Sequence, residues 1–202
     1  MRGRLARHGM SLLGALTVLF WLSPDAFAGN ERSRNSVLLF GGPMMQGHFP
    51  GDAIIPFGSR FDRRMILGAA LQHDFVRFEN GVSFGTEAGV AARVGPDVSG
   101  EVWGGVSATH VGPTIGPITI SPSLVVGLSA VNKAVGIESR RRGAKGDARL
   151  LFYLGPELQF RSSALPGVAL VYRIHHRSGA WHTLGNMRDA TNSNVIGLKI
   201  DF

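Results

Sequence analysis

Beyond residue 35 the chain alternates apolar with small or polar side chains at a period of two. Residues two apart share one side of an extended strand, so this period predicts strands with a single apolar face, not helices. Eight stretches carry it: Ser36–Gly42, Arg64–Asp74, Val82–Arg93, Glu101–His110, Ile118–Ala130, Ala148–Phe160, Val168–His176 and Ser193–Phe202. In the fifth, Ile118, Ile120, Leu124, Val126 and Leu128 alternate with Thr119, Ser121, Ser123, Gly127 and Ser129. The eighth sets Ile196, Leu198, Ile200 and Phe202 against Gly197, Lys199 and Asp201.

The polar face carries Glu87, Arg93, Glu157, Arg173 and Lys199 at or near mid-strand, among Gly, Ser and Ala. A water-facing surface would hold more charge than this. The narrow lumen of an eight-stranded barrel, which side chains must fill, suits such a set. The apolar face then points outward to lipid. Connection lengths agree. Pro43–Arg63, Val131–Asp147 and Arg177–Asn192 are long and only Val94–Gly100 on that side is short, whereas Phe75–Gly81, Val111–Pro117 and Arg161–Gly167 are all short. Long extracellular loops and short periplasmic turns are the habit of outer-membrane barrels. The terminal Phe202 is the usual last residue of such proteins and a signal to the outer-membrane assembly machinery. The expected fold is all-β: an eight-stranded antiparallel transmembrane β-barrel over residues 29–202.

Residues 1–28 read as an address. Arg2, Arg4 and Arg7 precede an apolar run from Ser11 to Leu22, and Ala26-Phe27-Ala28 offers small residues where a signal peptidase cuts. The run is too short to span a bilayer as a helix. The expected destination is the outer membrane of a Gram-negative bacterium, after cleavage. Composition narrows the chemistry. Zero cysteines exclude a disulfide scaffold and a thiol nucleophile, and 28 glycines argue against a helical protein. The net charge is +7, but export excludes nucleic acid as a partner.

The residues suited to chemistry lie at the end of the seventh stretch. Counting along it, Val168, Leu170, Tyr172, Ile174, His176 and Ser178 share the outward face, and His175 points to the lumen. A His beside a Ser is the base and nucleophile of acyl transfer, with a third group fixing the imidazole tautomer. Facing lipid, the pair meets only a substrate that lives in the membrane. On the neighbouring stretch Asn192 is in phase with it, and Asp189 is the alternative third member, in a loop where phase cannot be read. Backbone N–H groups at Gly179 and Ala180 are the candidate oxyanion donors. Arg140, Arg141, Arg142 and Lys145, in the long connection between the fifth and sixth stretches, read either as solvated charge or as contacts for lipid phosphates. The scattered His48, His73 and His110 give no metal-ligand spacing, and no metal or cofactor is expected.

His176-Arg177-Ser178 followed by a small residue, a polar group entering the last strand and a terminal Phe together resemble the lipid A 3-O-deacylase (PagL) and acyloxyacyl hydrolase-like outer-membrane family. The resemblance is firm toward the end of the chain and rests on architecture upstream. It implies a His-x-Ser pair with a glutamate, facing the outer leaflet and removing an ester-linked acyl chain from lipid A of lipopolysaccharide without a metal. Here Gly179-Ala180 follow the serine where the family has Asn-Ala, and Asn192 stands at the glutamate's distance from the terminal Phe202. Two functions stay open: a serine esterase acting on lipid A, and a non-catalytic small barrel, structural or adhesive, with a degraded site. A homodimer is compatible with either.

Overall fold

The computed structural model describes residues 34–51 and 60–202, so the expected signal segment and its cleavage site lie outside the described residues. Nine strands follow one another: β1 (Asn35–Met45), β2 (Phe61–Arg77), β3 (Val82–Val94), β4 (Ser99–His110), β5 (Thr114–Ile115), β6 (Ile118–Val131), β7 (Leu150–Ser162), β8 (Val168–Ser178) and β9 (Asp189–Asp201). β5 is a two-residue extension that pairs only with the start of β6. The other eight are the eight expected strands. Each pairs antiparallel with its sequence neighbour, β1 pairs with β9, and β4 pairs with β6, which leaves no open edge. The chain is a closed eight-stranded antiparallel β-barrel.

Several boundaries differ from the pattern-based reading, most where strands run on toward the site. β2 begins at Phe61, not Arg64, and β9 begins at Asp189, not Ser193. The β6–β7 connection is not all loop, because Gly136–Arg142 forms a short helix, α1. Polar strand ends and a seven-residue helix give no apolar period, so pairing across the sheet decided them.

The barrel is apolar outside and polar within. Leu39, Leu67, Val90, Val106, Leu170 and Ile196 are exposed on the outer wall. Inside, Arg173 donates to both oxygens of Glu87 at 2.7 Å and to Glu157 at 2.7 Å, and Lys199 donates to Glu157 at 2.7 Å. Nearer the rim that holds α1, Arg93 pairs with Glu101 and, at 2.7 Å, with Glu138 of the helix, and Arg177 also binds Glu138. His175 faces inward, its Nε2 2.9 Å from Glu101. Phe40, Trp103, Tyr153 and His175 pack at ring separations of 4.7–5.8 Å within the lumen. Room for the indole comes from Gly89 across the strand pair, where a Cβ would stand 2.2 Å from the Trp103 ring.

Four buried carboxylates, Glu87, Glu101, Glu138 and Glu157, thus meet four buried cations, Arg93, Arg173, Arg177 and Lys199. Such balance makes single deletions costly, because the surviving partner stays buried and unpaired. Arg173→Met is expected to destabilise the barrel by about 3–5 kcal/mol. Urea unfolding of the micelle-refolded protein checks this, and a loss below about 1 kcal/mol would refute it.

Candidate active site

His176 and Ser178 lie on the outer face of β8, at the rim shared by the β1–β2, β6–β7 and β8–β9 connections. The outer wall here is not bare. His176 is only 6% exposed, against 49% for Leu170 further down the same face, because the segment after β1 folds over it. The Phe49 ring stacks on the imidazole, centroids 4.4 Å apart and planes 27° apart.

β8 and β9 pair in register from Val168↔Ile200 to Arg177↔Thr191, which sets His176 directly opposite Asn192. Nδ1 of His176 lies 2.6 Å from Asn192 Oδ1. The amide's orientation is fixed at its other end, where Nδ2 donates to the Gly47 carbonyl at 2.8 Å. Oδ1 is therefore the acceptor and His176 Nδ1–H the donor, which leaves Nε2 with the lone pair a general base needs.

One residue further on, the register slips. Ser178 pairs with Asp189, and Ala190 is the extra residue of a β-bulge. The bulge brings Asp189 onto the wall that holds His176, with Oδ1 3.8 Å from His176 Nδ1. Asp189, expected in a loop where phase cannot be read, is the first residue of β9 and faces the site. Its other oxygen, Oδ2, accepts from His48 Nδ1 at 2.9 Å, from Arg141 Nη1 at 3.0 Å and from the Phe49 N–H at 3.4 Å. A small cluster of Ala148, Leu151, Met187 and Ala190 packs behind the bulge and holds it in place.

Ser178 is half-buried one pleat beyond His176 on the same face. Its hydroxyl makes no hydrogen bond among the described residues. Resting-state catalytic hydrogen bonds are often long and tighten with substrate.

Two of the expected assignments change. The Gly179 N–H donates to the Arg188 carbonyl at 2.8 Å and is not available to an oxyanion. A Cβ there would stand 2.1 Å from the Met187 carbonyl oxygen, so this glycine serves a close approach of the chain. Ala180, Trp181 and His182 follow with φ of 46°, 55° and 73°, a left-handed run that turns the chain tightly back toward β9. Within it His182 Nδ1 lies 3.1 Å from the Asn186 carbonyl, and the Trp181 side chain is exposed. Arg141, expected among outward lipid contacts, instead turns inward, its donors spent on Gln46, Gly47, Asp189 and Ala190. Arg140, Arg142 and Lys145 are exposed.

Sequence reasoning missed Gly47, His48 and Phe49. Nothing local marks them, since their place in the site depends on how the β1–β2 connection folds across the wall. Among the described residues, no three His, Cys, Asp or Glu side chains form a metal-holding group.

Neither a protein-family model nor a curated protein matches the chain. Solved structures do. The chain is similar to the crystal structure of the outer membrane enzyme PagL, at 15% identity and a TM-score of 0.58, over 83% of this chain and 99% of that one. It is also similar to the crystal structure of Neisserial surface protein A (NspA), at 12% identity and a TM-score of 0.52, over 86% and 100% of the two chains. At these identities the likeness is one of fold: the protein has the closed eight-stranded antiparallel barrel that these small outer-membrane proteins share.

Proposed function

We propose that the protein is an outer-membrane serine esterase that removes an ester-linked acyl chain from lipid A. The observation that carries this is the imidazole of His176, held by Asn192 with Nε2 left as the basic nitrogen, on the outer wall of the barrel and on the same face of β8 as Ser178. Ser178 Oγ attacks the ester carbonyl as Nε2 takes its proton. The tetrahedral intermediate collapses, the imidazolium returns the proton to the departing alkoxide, and an acyl-serine remains. Water, deprotonated by the same Nε2, then releases the fatty acid and restores the serine. Asp189, 3.8 Å from Nδ1, offsets the imidazolium charge. The exposed Arg140, Arg142 and Lys145 supply cations for lipid phosphates at the same rim.

The fold shared with the enzyme PagL supports this reading, and so does the His-x-Ser pair. A second reading, a non-catalytic barrel, is favoured by Asn192 where the resembled family has a glutamate, and by a Ser178 hydroxyl with no hydrogen bond among the described residues. The chain shares its fold with NspA as well as with PagL, so the fold by itself does not choose between the readings. Mass spectrometry of lipid A from cells expressing or lacking the protein decides between them. The esterase predicts loss of one acyl chain's mass in expressing cells. An unchanged spectrum, with the barrel folded in the outer membrane, favours the second reading.

A further inference from the structure

The last turn of α1 carries three arginines, and only the middle one turns into the protein. Arg140 keeps a side chain 58% exposed, whereas that of Arg141 is 12% exposed. Its Nη2 donates to the Gln46 and Gly47 carbonyls at 2.8 and 3.0 Å, and its Nη1 to Asp189 Oδ2 and the Ala190 carbonyl at 3.0 and 3.3 Å. One guanidinium therefore joins the helix, the segment after β1 and the bulged start of β9.

Those segments hold Asn192, Asp189 and Phe49, which bond to, lie charged beside and stack on His176. Gly47 O accepts from Arg141 Nη2 and also from Asn192 Nδ2, whose Oδ1 receives His176 Nδ1–H. Asp189 is held on Oδ2 by Arg141, which leaves Oδ1 the oxygen nearer the imidazole. The segment Arg141 grips at Gln46 and Gly47 runs directly into Phe49, stacked on the ring.

We propose that Arg141 is a positioning residue that fixes the tautomer and orientation of His176 through Gly47, Asn192 and Asp189; as a catalytic role this rests on the esterase reading above. The planar fork is what the task requires, since it gives two donors to each side of the cleft between segments. A lysine ammonium is a point charge that cannot hold four acceptors in that plane.

The test uses the whole barrel refolded in detergent micelles, with purified lipid A as substrate. Arg141→Ala is expected to lower kcat about 100-fold with little change in KM, the scale of a misplacement near 1 Å. Guanidinium chloride at millimolar concentration restores part of that rate, and restores none to Ser178→Ala. Arg141→Lys refills the volume and charge but stays slow; a lysine variant at the wild-type rate overturns the proposal. The independent readout is the 15N spectrum of the imidazoles, with His176 assigned by its loss in His176→Gln. Wild type is expected to show His176 as the Nδ1–H tautomer, and both Arg141 variants a mixture. A retained Nδ1–H tautomer in these variants overturns the proposal whatever the rates. If wild type leaves lipid A intact, the esterase reading falls, and the tautomer comparison still supports or overturns the clamp by itself.

Discussion

Ser178→Ala is expected to lower lipid A deacylation by about 10⁴-fold or more, with the barrel still folded. Within the proposed mechanism no other side chain supplies the attacking oxygen. Asp189, across the strand pair from Ser178, is already held on one oxygen by three donors. His48, the other base nearby, lacks a hydroxyl to activate once Ser178 is gone. Stability should hardly change. The serine is half-buried at the rim, and its hydroxyl is bonded to nothing among the described residues, so its loss costs at most about 0.5 kcal/mol. The measurement is acyl release from purified lipid A by wild type and variant, beside a gel-shift check that both are folded. A variant with near wild-type activity removes Ser178 from the mechanism. A variant that is both inactive and unfolded assigns the serine to stability.

The second large effect concerns the partner of His176. Asn192 and Asp189 are expected to back each other up. Asn192 holds Nδ1 now, at 2.6 Å, and Asp189 Oδ1 waits 3.8 Å away with no hydrogen-bond partner among the described residues. Loss of the amide lets the ring turn toward the carboxylate, which also accepts Nδ1–H and stabilises imidazolium better than an amide does. Asn192→Ala alone should therefore cost about 10-fold. Asp189→Ala alone should cost about 10- to 100-fold, because it removes charge while leaving the tautomer in place. The double variant loses both acceptors and should fall by about 10⁴-fold, the scale seen when a triad histidine loses its orienting group. Rates on one lipid A preparation give the cycle, and the expected sign is a double loss larger than the product of the single ones. If Asn192→Ala alone reaches the double variant's rate, Asp189 does not substitute. If neither change matters, His176 has no orienting partner and the non-catalytic barrel is the better reading.

These expectations depend on a geometry that was partly legible in the chain. Period-two alternation placed all eight long strands and put Glu87, Arg173 and Lys199 inside with Leu170 and Ile196 outside. It also placed His176, Ser178 and Asn192 on one face, because strand phase propagates without error as long as the ladder is regular. It failed at Asp189. A bulge inserts one residue, and a period of two cannot show an insertion that only the partner strand reveals.

Sequence alone determined the class of fold, the facing of each strand and the His-x-Ser pair, since all three follow from local spacing and the strict two-residue pleat. The tertiary structure alone decided the rest of the site. The fold of the β1–β2 connection brought Phe49 over His176 and Gly47 to Asn192, contacts spanning more than a hundred residues of chain. The short helix sent Glu138 into the lumen and Arg141 into the site, while their neighbour Arg140 stayed more than half exposed, near Asp62. The Gly179 N–H, a donor on paper, was consumed by the turn that closes β8 onto β9. Loops carry no period to read, and their conformation is set by which buried donors and acceptors remain to be satisfied once the barrel has closed.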